Sequence, residues 1–97
     1  MERIGVIGIV VEDLNCISNV NTIISNHSDI IVGRLGIPYK EKGVSVISLV
    51  VDGTTDDIGS LTGKLGSIKG INVKSALTKS LNNRRNKKWK IKNYLYY

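Results

Sequence analysis

Runs of apolar residues with few polar interruptions mark the strands of this chain. RIGVIGIVV at 3–11 and VSVISLVV at 44–51 are apolar at nearly every position, which is typical of strands buried on both faces. The segments 30–35 and 71–77 carry more polar residues and predict two edge strands. Between the second and third strands, the segment 36–43 has Gly at both ends and Pro inside, and it is predicted to be a turn.

Two segments with a helical period separate these strands. The apolar residues of each fall on one helical face: Ile17, Val20, Ile23 and Ile24 in the first segment, and Ile58, Leu61, Leu65 and Ile68 in the second. Asp13 can cap the first helix, and Thr54 with Asp57 three residues later forms a capping box for the second. The predicted order of elements is therefore β-α-β-β-α-β.

This order predicts a ferredoxin-like α+β sandwich, with a four-stranded antiparallel sheet and two helices on one face. The first and third strands are expected in the centre, and right-handed crossovers put both helices on the same side. The other side of the two central strands is also apolar, and such a patch is usually covered by a partner or by more chain. We therefore expect the protein to form homo-oligomers through the sheet.

Charge divides the chain into two parts. All eight acidic residues lie within 1–79, together with eight of the fourteen Lys and Arg residues, so this part is neutral. The net charge of +6 comes entirely from 80–97, which also hold four of the five aromatic residues. We therefore predict a folded domain at 1–79 and a basic aromatic tail at 80–97.

Three interpretations of the tail remain open. KWKIK at 88–92 alternates Lys with Trp and Ile, which is typical of a half-buried strand added to a sheet edge or laid over the apolar face. Basic and aromatic residues can instead neutralise phosphates and stack on bases, and the candidates for such nucleic-acid binding are Arg84, Arg85, Lys87, Lys88, Trp89 and Lys90. The third interpretation is a solvated chain end.

Motifs for catalysis or for cofactor binding are weak. GSLTGKLG at 59–66 has only three residues between Gly59 and the Gly-Lys pair, and Leu follows where a P-loop has Ser or Thr. The glycines fall on one helical side, where they permit close packing on a neighbour or close approach of a ligand. Cys16 and His27 are roughly 16 Å apart along a helix, so they cannot share a metal within one chain. The alternatives for this pair are structural roles or a site shared between subunits.

These observations do not favour an enzyme, and we expect the protein to bind no cofactor or metal. The apolar runs are far shorter than a membrane span, and the first residues lack the features of a signal peptide. A single cysteine excludes an internal disulfide and agrees with a reducing cytoplasm. We therefore expect a cytoplasmic protein with no membrane segment.

Longer segments of the chain are more specific than these motifs. GRLGIPYKEKGVSVISLVVDG, DDIGSLTGKLGSIKGINVKSA and the opening RIGVIGIVVED closely resemble the iron-only hydrogenase system regulators, over about residues 2–79. The resemblance implies an ACT-like domain, similar in fold to the C-terminal domain of nickel-responsive repressors. It also implies dimers or tetramers and a regulatory role linked to iron-only hydrogenase maturation. The partners expected are a small-molecule effector or a protein of the hydrogenase system.

Two departures from related domains limit the ligands that the resemblance implies. The loop after the first strand lacks the Gly of amino-acid-binding ACT domains, and a single His does not match a nickel site. We predict an effector site at a subunit interface near Arg34, Tyr39, Gly63 and Lys64. Arg34 would bind a carboxylate or phosphate, Lys64 would add charge, and Tyr39 would stack or donate a hydrogen bond. The alternatives are a solvated edge charge for Arg34 and a plain hairpin turn around Tyr39.

Overall fold

A computed structural model describes residues 2–78, which fold into a four-stranded antiparallel sheet with two helices on one face. The elements are β1 (Glu2–Val11), α1 (Ile17–Asn26), β2 (Ile31–Tyr39), β3 (Val44–Thr54), α2 (Thr55–Gly66) and β4 (Ile71–Leu77). The strand order is β2-β3-β1-β4, and every neighbouring pair is antiparallel. This confirms the predicted ferredoxin-like fold, with the two most apolar strands in the centre.

The core lies between the helices and one face of the sheet, which we call the helix face. β1 and β3 contribute alternate residues to it, while α1 and α2 contribute their apolar stripes. The fully buried members are Ile7, Ile9, Val11, Val20, Leu49, Val51, Ile58, Leu61 and Leu65. The helical spacing seen in the sequence therefore identified the residues that hold the helices on the sheet.

Side-chain caps begin both helical segments. The Thr54 side chain accepts a hydrogen bond from the backbone nitrogen of Asp57 at 3.0 Å, as the capping box predicts. Asp13 accepts a hydrogen bond from the backbone nitrogen of Asn15 at 3.0 Å, but the turn that follows is a 3₁₀ turn at Leu14–Cys16, and α1 begins only after it. The cap was predicted correctly, and the first turn is tighter than expected.

The predicted turn at 36–43 is wrong in its first half. β2 continues to Tyr39, and the actual reversal is the 3₁₀ turn Lys40–Lys42 followed by Gly43, which has a φ of 69°. Pro38 is tolerated because β2 is an edge strand, where a missing N–H can point away from the neighbouring strand. Gly and Pro therefore did not end the strand here.

A β-bulge in β2 changes which side chains face the helices. Ile31 pairs with Val51 and Gly33 with Val50, so Val32 is an extra residue with no counterpart on β3. Because side chains alternate along a strand, the one-residue shift reverses the facing of every later residue in β2. Leu35, Ile37 and Tyr39 consequently lie on the face of the sheet opposite the helices.

The opposite face, which we call the open face, has no helix over it within residues 2–78. None of the helices in this part of the chain is long and apolar enough to cross a membrane. The predicted tail at 80–97 lies outside the described residues, so its three interpretations stay predictions.

Candidate functional site

Arg34 lies on the helix face of β2, opposite the buried Leu49. Its Nη2 donates a hydrogen bond to Oδ1 of Asn21 on α1 at 2.6 Å. Within residues 2–78 this neutral amide is its one side-chain partner, and no carboxylate pairs with it. A guanidinium has five N–H donors, so the exposed group retains the capacity to bind an anion in bidentate fashion.

Tyr39 lies at the last position of the same strand but on the open face, opposite Val44. Its side chain is 44% exposed, and the 3₁₀ turn Lys40–Lys42 follows directly. Arg34 and Tyr39 therefore share the free edge of β2 while pointing to opposite faces of the sheet. A ligand that contacts both has to wrap around this edge.

Gly63 and Lys64 lie in the last turn of α2, and both are exposed. This helix packs over β1, β3 and β4, while β2 lies at the far edge of the sheet. The described chain therefore does not bring the Gly63–Lys64 pair together with Arg34 and Tyr39. The four predicted residues can form one site only if a second subunit supplies part of it, as the prediction of an interface site requires.

The three glycines of α2 have no contact that requires a glycine within the described chain. A Cβ added at Gly59, Gly63 or Gly66 would meet no atom within 4 Å, and none of the three has a positive φ. The two predicted explanations are packing on a neighbour and approach of a ligand. Both need a partner that residues 2–78 do not supply, so both stay open.

Cys16 and His27 make contacts inside the fold. The thiol of Cys16 donates to the carbonyl oxygen of Lys69 at 3.0 Å, in the segment that joins α2 to β4. The His27 ring lies 2.8 Å from the carbonyl oxygen of Ile23 through Nδ1 and 3.5 Å from the Ser60 hydroxyl through Nε2. Donation from Nδ1 to the carbonyl leaves Nε2 as the acceptor for the hydroxyl. Both residues thus connect the two helical segments of the fold.

Residues 2–78 contain no group of three or more His, Cys, Asp or Glu side chains placed to hold a metal ion. The candidate nucleic-acid residues of the tail lie outside the described part of the chain. They are Arg84, Arg85, Lys87, Lys88, Trp89 and Lys90.

Asn21 is the residue at the candidate site that sequence reasoning missed. It belongs to the polar side of α1, together with several other Asn and Ser residues of equal appearance. Its contact with Arg34 depends on the bulge at Val32, which reverses the facing of Arg34. Gly33, directly after Val32, is a local signal for this bulge, because an isolated glycine inside a strand often marks one. Nothing in the sequence singles out Asn21 as the partner that the bulge gives to Arg34.

Comparison with solved structures shows what this fold is similar to. The uncharacterized protein TM1266 from Thermotoga maritima has 36% sequence identity and a TM-score of 0.77, and the match covers 81% of this chain and 100% of that one. The ACT domain of the GTP pyrophosphokinase of Chlorobium tepidum has 24% identity and a TM-score of 0.65, covering 78% of this chain and 100% of that one. The second likeness establishes an ACT-like fold.

A formyltetrahydrofolate deformylase from Pseudomonas putida is more distant, with 9% identity and a TM-score of 0.55. This match covers 75% of this chain and 28% of that one, and it concerns the fold alone. No curated protein matches the chain.

A family model for the TM1266-like proteins, described as "Iron-only hydrogenase system regulator, putative", matches residues 3–75. This range includes β1 to the middle of β4, and with it the four predicted effector residues. The chain therefore belongs to the TM1266-like family of iron-only hydrogenase system regulators.

Proposed function

We propose that this protein is a non-enzymatic regulator of the iron-only hydrogenase system, which works as a homo-oligomer and binds a small anionic effector. The observation that supports effector binding is the environment of Arg34. Its guanidinium is exposed, and its side-chain partner in residues 2–78 is a neutral amide. Membership of a family described as iron-only hydrogenase system regulators supports a role in that system. A protein of that system is the alternative partner for the same surface.

Asn21 prepares Arg34 for binding. Its amide oxygen holds one guanidinium nitrogen at 2.6 Å and restricts a long side chain that is otherwise free to rotate. A side chain that is already oriented loses less conformational entropy when a ligand binds. An effector with a carboxylate or phosphate group would then form two parallel hydrogen bonds with the guanidinium.

The rest of the proposed site comes from the β2 edge and from a second subunit. Tyr39 would stack on the effector or donate a hydrogen bond from the open side of the edge. Lys64 of the neighbouring subunit would add a positive charge, and Gly63 beside it would permit close backbone approach, because nothing lies within 4 Å of its missing Cβ. Effector binding would in this way depend on assembly.

A cytoplasmic location belongs to the proposal. It is supported by the single cysteine in the sequence, which suits a compartment where thiols stay reduced. The absence of a catalytic role also belongs to the proposal. It is supported by the structural contacts that Cys16 and His27 make within the fold.

The test is ligand-induced stabilisation of the full-length protein. Inorganic phosphate, nucleotides and small dicarboxylates are screened for a rise in the midpoint of thermal unfolding, since a ligand that binds only the folded state raises stability. We expect at least one of these anions to raise the midpoint of the wild type and Arg34→Ala to lose the rise. Asn21→Ala should weaken the response.

Lys74→Ala is the matched control, because Lys74 is an exposed basic residue on β4, at the other edge of the sheet. It should respond as the wild type does. A response that survives in Arg34→Ala would contradict the proposed site. A screen in which no anion raises the midpoint would contradict anion binding itself and favour the protein partner.

The alternative function is nucleic-acid binding through the tail. It is favoured by the concentration of all six excess positive charges and four of the five aromatic residues in 80–97. Such binding would weaken steeply with salt, because Lys and Arg displace counterions from phosphates. Titration of the full-length protein with single-stranded DNA across a salt series tests it, with Trp89→Ala and Arg84→Ala/Arg85→Ala as variants. Affinity that is absent at low salt would rule this function out.

A further inference from the structure

The outer edge of β4 has backbone groups that can pair with another strand. Within residues 2–78, β4 pairs with β1 on its inner side and with no strand on its outer side. Thr78, directly after β4, donates its backbone N–H to the carbonyl oxygen of Ile4 on β1 at 2.8 Å. Successive residues of an antiparallel strand direct these groups to opposite sides, so those of Leu77, Ser75 and Val73 point away from β1.

The two edges of the sheet differ in how readily they can accept a further strand. β2 carries the bulge at Val32 and the proline at Pro38, and natural sheets use both features to prevent pairing at an edge. β4 pairs with β1 in a regular register along its whole length and contains no proline. Its one charged side chain, Lys74, lies on the open face. β4 is therefore the edge that is better suited to strand addition.

Apolar side chains on the helix side of this edge are incompletely covered. Ile71 and Val73 on β4, and Ile68 before it, pack against the core but are only half-buried. Leu77, at the end of β4, is 42% exposed on the same side. Side chains of an added strand would lie directly beside them, and apolar ones would remove this surface from water. The edge thus fits a strand in which alternate residues are apolar.

We propose that residues 88–92 of the same chain form a fifth strand, which pairs with the outer edge of β4 in antiparallel orientation. The sequence of this segment, KWKIK, has the alternation that the edge requires. In this arrangement Trp89 and Ile91 lie on the helix side, beside the incompletely covered apolar residues of β4. The three lysines lie on the other side, in water, where they discourage the pairing of a further strand.

The path of the chain favours β4 over β2 as the strand that the tail joins. Thr78 is held at the β4 edge, since its N–H donates to Ile4, its hydroxyl accepts from the backbone nitrogen of Ile4 at 3.2 Å, and its carbonyl accepts from Arg3 at 2.9 Å. The segment 79–87 is long enough for the chain to reverse, and its Asn-Asn pair at 82–83 suits a turn. To reach β2, the tail would first have to cross the whole sheet.

The added strand goes beyond the fold that the chain shares with its family, because the family match ends at residue 75. It also changes what the tail can offer to a nucleic acid. Stacking on bases needs an exposed aromatic face, whereas the proposed strand packs Trp89 against the domain. The lysines of the segment remain accessible in the same arrangement.

The test is amide hydrogen exchange of the full-length protein, followed residue by residue by NMR. Ile91→Pro removes a donor that faces β4, and we expect the amides of Val73, Ser75 and Leu77 to exchange at least about tenfold faster than in the wild type. Lys90→Pro is the matched control. The N–H of residue 90 points away from β4, where an edge strand tolerates proline, so this variant should keep most of the protection. The amide of the buried Leu49 shows that each variant is folded and should not change.

Fluorescence of Trp89, the single tryptophan of the chain, provides a second measurement. Its emission should be blue-shifted in the wild type and in Lys90→Pro, and it should move to the red in Ile91→Pro. Free exchange of the three β4 amides in the wild type, or equal exchange in the two proline variants, would overturn the proposed strand. Protection that disappears on dilution would show that a neighbouring chain supplies the strand, and would overturn its assignment to the same chain.

Discussion

The two faces of the sheet are similar in sequence and differ in what covers them. On β3, Val51 is completely buried against the helices, while the adjacent Val50 is 39% exposed on the open face. The same residue type thus has two different environments one position apart. Both helices lie on one face because both crossovers have the same hand, so the apolar character of the other face has no explanation within residues 2–78. The comparison shows that the helix face holds the core, while the open face is left for the association that we propose.

The largest effect expected separates the two faces with the same substitution. Val51→Ala removes two buried methyl groups and leaves a cavity, and we expect it to lower the free energy of unfolding by about 2 to 3 kcal/mol. Val50→Ala should lower the stability of the monomer by less than about 1 kcal/mol, because its side chain is already partly in water. Chemical denaturation of both variants, in a background that carries Val6→Lys to exclude association, measures the difference. Equal losses would contradict the division between the faces.

A smaller effect is expected at the start of α2. Thr54→Ala removes the hydrogen bond to the backbone nitrogen of Asp57, and we expect a loss of about 1 kcal/mol in unfolding free energy. Because the cap belongs to the helix layer, the molar mass of the folded protein should not change. Thr54→Ser, which retains the hydroxyl, is the control and should recover most of the loss. A change in mass would show that association uses this end of the helix.

A substitution at a glycine of α2 is expected to raise the stability instead of lowering it. Gly59→Ala places a better helix former where an added Cβ meets nothing, and we expect the free energy of unfolding to rise by roughly 0.8 kcal/mol. If the open face alone mediates association, the mass stays at the wild-type value. A variant that is more stable but dissociated would show that the glycine side of α2 packs on a neighbour. Association would then not be confined to the open face.

The smallest effect on stability is expected at Arg34. Arg34→Ala removes one exposed hydrogen bond to Asn21, and we expect less than about 0.5 kcal/mol of change in unfolding free energy. The same variant should lose the stabilisation by anions that the wild type shows. Thermal unfolding with and without the anion measures both effects. A large loss of stability without ligand would show that Arg34 has a mainly structural role.

Most of the fold followed from periodicity. The two-sided apolar strands indicated the centre of the sheet, the helical stripes identified the core residues, and the surplus of apolar positions predicted an uncovered face. The end of β2 was predicted incorrectly because Gly36 and Pro38 resemble turn residues, while an edge strand tolerates both.

The candidate site was less accessible to sequence reasoning. The bulge at Val32 decides that Arg34 faces α1 and that Tyr39 does not, and a one-residue shift has this consequence for every side chain after it. The separation of the Gly63–Lys64 pair from Arg34 depends on which strands each helix covers, which is a property of the complete packing. Gly33 is a local signal for the bulge, whereas no local pattern shows which strands a helix covers.

The most direct test of the division between the faces is the concentration dependence of thermal unfolding. If folded chains associate through the open face, the unfolding midpoint of the wild type rises with protein concentration, because association stabilises only the folded state. Val6→Lys places a charge on the open face and should abolish this dependence. Leu14→Lys places the same charge at an exposed position outside the sheet and should retain it. A wild-type midpoint that is the same at all concentrations would contradict the account.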